Sequence, residues 1–201
     1  MGAHDPWVQT NYGVDFQLLE VSPNNVRSKD IAWALGGINR YNAHTNFYYS
    51  VAEHCSLISD YLLRTTGDPM VALAGLLHDA HEAYTGDMTS PMQNAMEILV
   101  PGFKKAFRAL QARIDKAILR ALDLDEVVDL YAPIIAECDL RIVTDEQNQA
   151  MRPSPFPDNA GWPSKKGLGV TLQFWSRERA SREWHDRLCR LHNKRPRPQG
   201  E

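Results

Sequence analysis

The sequence predicts a mainly α-helical bundle with at most a small β-hairpin. Three observations carry this. Apolar residues recur at helical spacing through most of the chain after residue 28, helix start and stop signals bracket those segments, and only two short stretches, 15–20 and 170–175, read as strands. At 201 residues the chain suits one domain with a substantial core and is short for two. A single domain is expected over 1–193, with its centre in 28–150, followed by a basic tail over 194–201 that reads as disordered.

Taken in order, DFQLLE (15–20) reads as a short strand. Ser28 is placed to cap a helix over 31–40, which the paired Gly36 and Gly37 weaken. Residues 40–49 mix aromatic and polar side chains without a period and read as a loop. Ser50 followed by Glu53 forms a capping box for a helix over 50–67, in which Val51, Cys55, Ile58 and Leu62 fall on one face and Gly67 closes the end. Asp68 and Pro69 then supply a cap and first turn for a helix over 70–84. Its first half is apolar on most sides, which predicts burial at the centre of the bundle. A short helix follows residues 90–92, then a long amphipathic helix over 102–124 and another over 126–151, with Pro133 as its start or a kink. The Pro- and Gly-rich segment 152–169 is a loop. VTLQFW (170–175) alternates like a strand and would pair with 15–20; a last helix spans 176–192.

A net charge of −3 argues against a nucleic-acid polymer as partner. It leaves room for a small anionic substrate, for which local positive charge suffices. Three cysteines, Cys55, Cys138 and Cys189, form no C-x-x-C pair and suggest neither disulfides nor a zinc ribbon. The expected location is the reducing cytoplasm. No signal peptide and no membrane span are expected, because no apolar run is long enough.

The chemistry concentrates in a few polar residues on apolar helices. His78 and Asp79 sit at the end of the most apolar helix, where burying an imidazole and a carboxylate is costly unless something compensates. A divalent cation would do so. His54 lies near the start of the preceding helix, and a tight turn between the two helices makes them antiparallel, which brings His54 to His78. Asp139, flanked by Ile135, Ile142 and Val143, is a candidate fourth ligand, preferred over Asp145 because it is expected to be buried. Glu82 falls on the face of His78 and Asp79, and Asp87 follows the helix; both are candidates for proton transfer. Arg40 is placed to hold phosphate, with Tyr41 beside it to pack on a base or sugar. The bland alternatives are a surface ion pair for Arg40, a solvated helix end for Glu82 and a turn role for Asp87. His4, His185 and His192 are expected to be exposed, His44 to be a loop residue, and Lys165 and Lys166 to lie at a solvated loop tip. Trp162, Trp175 and Trp184 are expected in the core or an oligomer interface.

The runs YYSVAEHC (48–55), LLHDAHEAYTGDMTSPM (76–92) and AECDLRIVTDE (136–146) together resemble the H…HD…D signature of the HD-domain superfamily of metal-dependent phosphohydrolases. The GD-x-x-[ST]-P element narrows the resemblance to bacterial 5′-deoxynucleotidases and phage-type deoxynucleotide triphosphohydrolases. The resemblance implies an HD-type helical bundle. It implies one divalent transition metal, such as Mn, Co, Zn, Ni or Fe, on His54, His78, Asp79 and Asp139. It further implies catalytic assistance from Glu82 and Asp87, phosphate binding by Arg40, a nucleotide substrate and a possible homo-oligomer. The enzymes resembled carry Trp after that arginine, where this chain has Tyr41, so their discrimination against ribose is not carried over. His81 stands where a small residue is common. Two rivals remain open: the same chemistry on a cyclic nucleotide, (p)ppGpp or a non-nucleotide phosphate, and a non-catalytic nucleotide-binding module. The intact set of ligands and acids argues against the second.

Overall fold

The computed structural model describes residues 6–124, 128–156 and 161–194. His4, the first residues of the helix expected from 126, part of the 152–169 loop and the tail from 195 lie outside the described residues.

The fold is mainly α with one two-stranded antiparallel hairpin. Strands β1 (Trp7–Gln9) and β2 (Asp15–Gln17) pair through Val8 and Phe16, across a turn that places Gly13 at φ 76°. The expected partner of 15–20, residues 170–175, forms no strand and joins no ladder, and Phe174 within it takes φ 52°. Local closure over a few residues wins over a pairing across most of the chain, and the 173–175 amides find a different acceptor, described below.

Helix α1 (Ser28–Gly37) begins one residue earlier than a Ser28 cap would allow; the capping position is Arg27, and Ser28 instead hydrogen-bonds His185. Gly36 does not merely weaken α1. A Cβ there would collide with the Ser181 hydroxyl and lie 2.9 Å from the Arg177 carbonyl oxygen, so it is what lets α1 rest on α8 (Arg177–His192). The 40–49 loop contains a 3-10 turn over Arg40–Ala43 in which Tyr41, Asn42 and Ala43 all take positive φ.

Helices α2 (Val51–Thr66) and α3 (Pro69–Leu77) form the central antiparallel pair. Ser50 Oγ accepts the Glu53 amide, Gly67 ends α2 at φ 69°, and Asp68 caps α3 through the Met70 amide, while the Glu53 side chain turns elsewhere and leaves the expected capping box half-made. Ser59 donates to the Ala72 carbonyl across the interface, and Gly75 lets Leu62 and Ile58 press against α3. Every residue of α3 from Val71 to Leu77 is buried.

The helix expected over 70–84 breaks after Leu77. Residues 78–81 form tight turns, and a four-residue α4 (Glu82–Thr85) follows. No Gly or Pro marks the break. Side chains take over the carbonyls that a continuing helix would use: Gly75 O accepts from His78 Nδ1 and Leu76 O from the Trp184 indole. Helices α5 (Ser90–Leu99) and α6 (Phe103–Ala121) pack as a hairpin, and α7 (Val128–Ala150) carries Pro133 inside it. The main core gathers Phe16, Ile31, Leu35, Leu73, Leu76, Ile114, Ile118 and Trp184; Trp175 is also buried. His185 and His192 are half-buried rather than exposed, the latter bonded to the Leu122 carbonyl. Among the described residues no helix is long and apolar enough to cross a membrane.

Candidate metal centre

The α2–α3 pairing brings the two histidines together, with their Nε2 atoms 3.3 Å apart. Their tautomers follow from their partners. His78 Nδ1 lies 2.8 Å from the Gly75 carbonyl oxygen, which can only accept, so Nδ1 carries the hydrogen. His54 Nδ1 lies 2.7 Å from Glu146 Oε1. Burial would raise the Glu146 pKa, but Arg40 and then His54 outweigh it and hold the carboxyl well below its usual range, so it too accepts. With Nδ1 so occupied on both rings the two Nε2 atoms face each other; burial would lower both imidazole pKa values, but Glu146 and Asp139 beside His54, and Asp79 and Cys55 beside His78, raise them, so without a metal the pair favours a proton at Nε2.

Two carboxylates complete the cluster. Asp79 Oδ2 lies 3.1 Å from His78 Nε2 and 3.7 Å from His54 Nε2; Asp139 Oδ1, reaching in from α7, lies 3.2 Å from His54 Nε2 and 3.9 Å from His78 Nε2. Ligands about 2.0–2.2 Å from one ion stand roughly 3.0–3.5 Å from each other in octahedral or tetrahedral geometry; His54, His78 and Asp139 lie close enough together to share an ion, and Asp79, beside His78, would have to shift to join them. Charge agrees once both histidines are neutral, as ligands must be: Asp79, Asp139 and Glu146 then face one guanidinium, Arg40. That leaves two negative charges, the number a divalent cation would neutralise.

Burial does not separate Asp139 from Asp145, since the Asp139 side chain is 45% exposed. Direction does. Asp145 faces the other way and accepts the amides of Leu168 and Gly169, which pins the loop. His81 is held by α6: Nδ1 meets Asp115 at 3.1 Å and Nε2 meets Gln111 at 2.9 Å. Cys55 lies close enough to His78 and Asp79 to share an ion, and burial pushes its thiol up to about 11.

Arg40 is no surface residue. Its Nη1 is 3.9 Å from Asp79 and its Nη2 3.3 Å from Glu146, while its buried Nε has no partner. Glu82 is buried rather than solvated, beside Asp79, and its Oε2 also lacks a partner. Burial first, then Asp79 and Asp87, raise its pKa. Asp87 is half-buried, and burial raises its pKa against the pull of Arg40. Tyr41 does not stand free to meet a base: its hydroxyl donates to Glu146, and its ring centroid lies 5.9 Å from that of Trp162. His44 and Lys165 are exposed, the latter 3.4 Å from Glu137.

One acid escaped the sequence reading, and a second serves a role other than the expected one. Glu146 is fully buried and gathers His54, Arg40, Tyr41 and Tyr49 on one carboxylate. Its position two helical turns after Asp139 was the available signal. Glu53 is also fully buried; its side chain does not close a capping box but accepts the amides of Gln173, Phe174 and Trp175 at 2.6–3.0 Å. This is the acceptor that replaces a sheet partner for 170–175.

No protein-family model matches the chain. It is similar to the uncharacterized protein YfdR of Escherichia coli K12, 27% identical over 168 residues, covering 84% of this chain and 83% of that protein. It is also similar to the uncharacterized protein RCAP_rcc00048 of Rhodobacter capsulatus, 35% identical over 134 residues, covering 64% of this chain and 63% of that protein. Neither name carries an activity.

Proposed function

We propose that this protein is a metal-dependent phosphohydrolase of the HD type, acting on (deoxy)nucleotides. The observation that carries the reading is the pair of histidines, each anchored through Nδ1, whose Nε2 atoms converge with Asp79 and Asp139. A cation would take the place of the proton that otherwise links the two Nε2 atoms and would offset the paired carboxylates. His54, His78, Asp79 and Asp139 would hold one divalent transition metal. When bound, such a cation supplies the positive charge that polarises a phosphoryl oxygen and a nearby water.

The chain's own residues do the rest. Arg40, anchored by Asp79 and Glu146, presents positive charge to the phosphate. Glu146 fixes the His54 ring and, through Arg40 and Tyr41, the phosphate-binding turn. Glu82, with its unpartnered Oε2, is placed to hold a proton for the leaving oxygen, and Asp87 closes the acidic side of the site. The GD-x-x-[ST]-P run that includes Asp87 favours nucleotides over other phosphate esters.

The test is release of phosphate and tripolyphosphate from a panel of dNMPs, NMPs and dNTPs with Mn²⁺ or Co²⁺, comparing the wild type with Asp79→Ala. Release by the wild type alone is expected, and the species released distinguishes monophosphatase from triphosphohydrolase. Folded, metal-loaded protein that releases neither would sink the nucleotide reading.

A further inference from the structure

The histidine cluster has a sulfur atom beside it. Cys55 follows His54 directly on α2 and is fully buried. Adjacent residues on a helix point about 100° apart, so the two side chains approach the end of α3 along different lines. The ligand atoms of Cys55, His78 and Asp79 lie within 4.8 Å of one another, as do those of His54, His78 and Asp139. A third such group, Asp79, His81 and Glu82, has both His81 nitrogens engaged, by Asp115 and Gln111.

The first two groups compete, because both need His78. Its Nδ1 is committed to the Gly75 carbonyl, which leaves Nε2 alone for a metal, and one nitrogen lone pair bonds one ion. Asp79 belongs to the sulfur group without adjustment: its Oδ2 is 3.1 Å from His78 Nε2, within the roughly 3.0–3.5 Å that two ligands of one ion keep. The groups also differ in softness. Imidazole with carboxylate oxygen suits Mn²⁺, whereas a thiolate selects thiophilic cations such as Zn²⁺ and Cd²⁺.

We propose that Cys55 is a ligand for thiophilic cations: Zn²⁺ or Cd²⁺ binds Cys55 Sγ, His78 Nε2 and Asp79, and by taking His78 it excludes Mn²⁺ from the set completed by His54 and Asp139. The thiol proton passes to solvent as the sulfur–metal bond forms. This rests on the histidine cluster being a metal centre and adds which ions compete for it.

The probe is Cd²⁺, whose bond to a thiolate gives an ultraviolet charge-transfer band that oxygen and nitrogen ligands do not. Full-length protein freed of metal with a chelator is expected to develop that band to a plateau on titration with Cd²⁺. Cd²⁺ is also expected to release bound Mn²⁺, read from the electron paramagnetic resonance signal of the freed ion. Cys55→Ser is expected to lose the band, to bind Cd²⁺ weaker by about tenfold or more, and to bind Mn²⁺ as the wild type does; Cys55→Ala serves if the Ser variant does not fold. Replacing the other two cysteines, Cys138 and Cys189, by serine is expected to leave the band in place. A band that survives in the folded Cys55 variants, no band in protein that binds Mn²⁺, or Cd²⁺ and Mn²⁺ bound together on one chain would each overturn the proposal and leave the metal centre standing. Folded protein that binds neither ion would overturn both.

Discussion

Replacing Glu146 by Gln tests whether one buried carboxylate organises the centre. The substitution keeps size and shape. It leaves one carbonyl oxygen for His54 Nδ1 and Tyr49, and it puts an NH₂ group where Arg40 and Tyr41 both donate. Glu146 is fully buried, so no solvent replaces what is lost. Removing one partner of a buried ion pair costs about 3–5 kcal/mol; here Arg40 loses its nearer carboxylate and keeps only Asp79, at 3.9 Å, so the lower end is expected. In a domain of this size that lowers Tm by roughly 6–20 °C. Loss of the group that orients a ligating histidine typically weakens metal binding about 10–100-fold. Denaturant unfolding followed by circular dichroism measures the first effect, and competition for Mn²⁺ against a chelating indicator measures the second. Tyr49→Phe is the internal control: it removes one neutral donor, should cost about 1–2 kcal/mol, and should leave metal affinity unchanged. If Glu146→Gln binds metal as tightly as the wild type and unfolds within about 0.5 kcal/mol of it, Glu146 neither orients His54 nor balances Arg40.

Three further outcomes are expected. Glu53→Ala strands the buried Trp175 amide and removes the acceptor of the part-buried Gln173 and Phe174 amides, and should cost about 3 kcal/mol, well above the ~1 kcal/mol of an ordinary lost cap; a loss near the smaller figure in chemical denaturation would reduce Glu53 to its helix-start role. Gly36→Ala gains up to about 1 kcal/mol of helix propensity yet forces α1 off the Arg177 and Ser181 backbone, so the net should be destabilising by about 1–2 kcal/mol; a higher Tm would mean the contact yields freely. Mn²⁺ at 100 times its Kd should stabilise the wild type by about 2.7 kcal/mol, read in a thermal melt, and Asp79→Ala should show no such rise; an equal rise in that variant would remove Asp79 from the ligand set.

Most of the fold was legible because local signals sat where local physics decides. Ser50, Gly67, Asp68 and Pro69 fix the ends of α2 and α3, and those ends fix the meeting of His54 with His78. The misses share a cause, which is that a distant partner outbid the local pattern. The helix over 70–84 breaks because Trp184, from the far end of the chain, takes the Leu76 carbonyl and His78 takes that of Gly75. The strand expected at 170–175 forms no sheet because Glu53, a residue with a perfectly good local role, accepts its amides. Arg40 and Tyr41 were read as free to meet substrate because nothing in their own neighbourhood announces Glu146, more than a hundred residues on.

That distance also sets an order of assembly. His54 and His78 are 24 residues apart, on two helices joined by a tight turn, so a partial chelate can exist as soon as the α2–α3 hairpin has folded. Asp139 arrives only with α7, and the contact that aims His54 spans 92 residues. During synthesis from the N-terminus the growing chain therefore carries the two histidines of the proposed centre on one hairpin before it carries the residues that place, close and orient the rest. An ion captured then would become part of the path by which α7 docks, and the identity of the metal would be decided by what the nascent hairpin meets first as well as by what the finished pocket prefers.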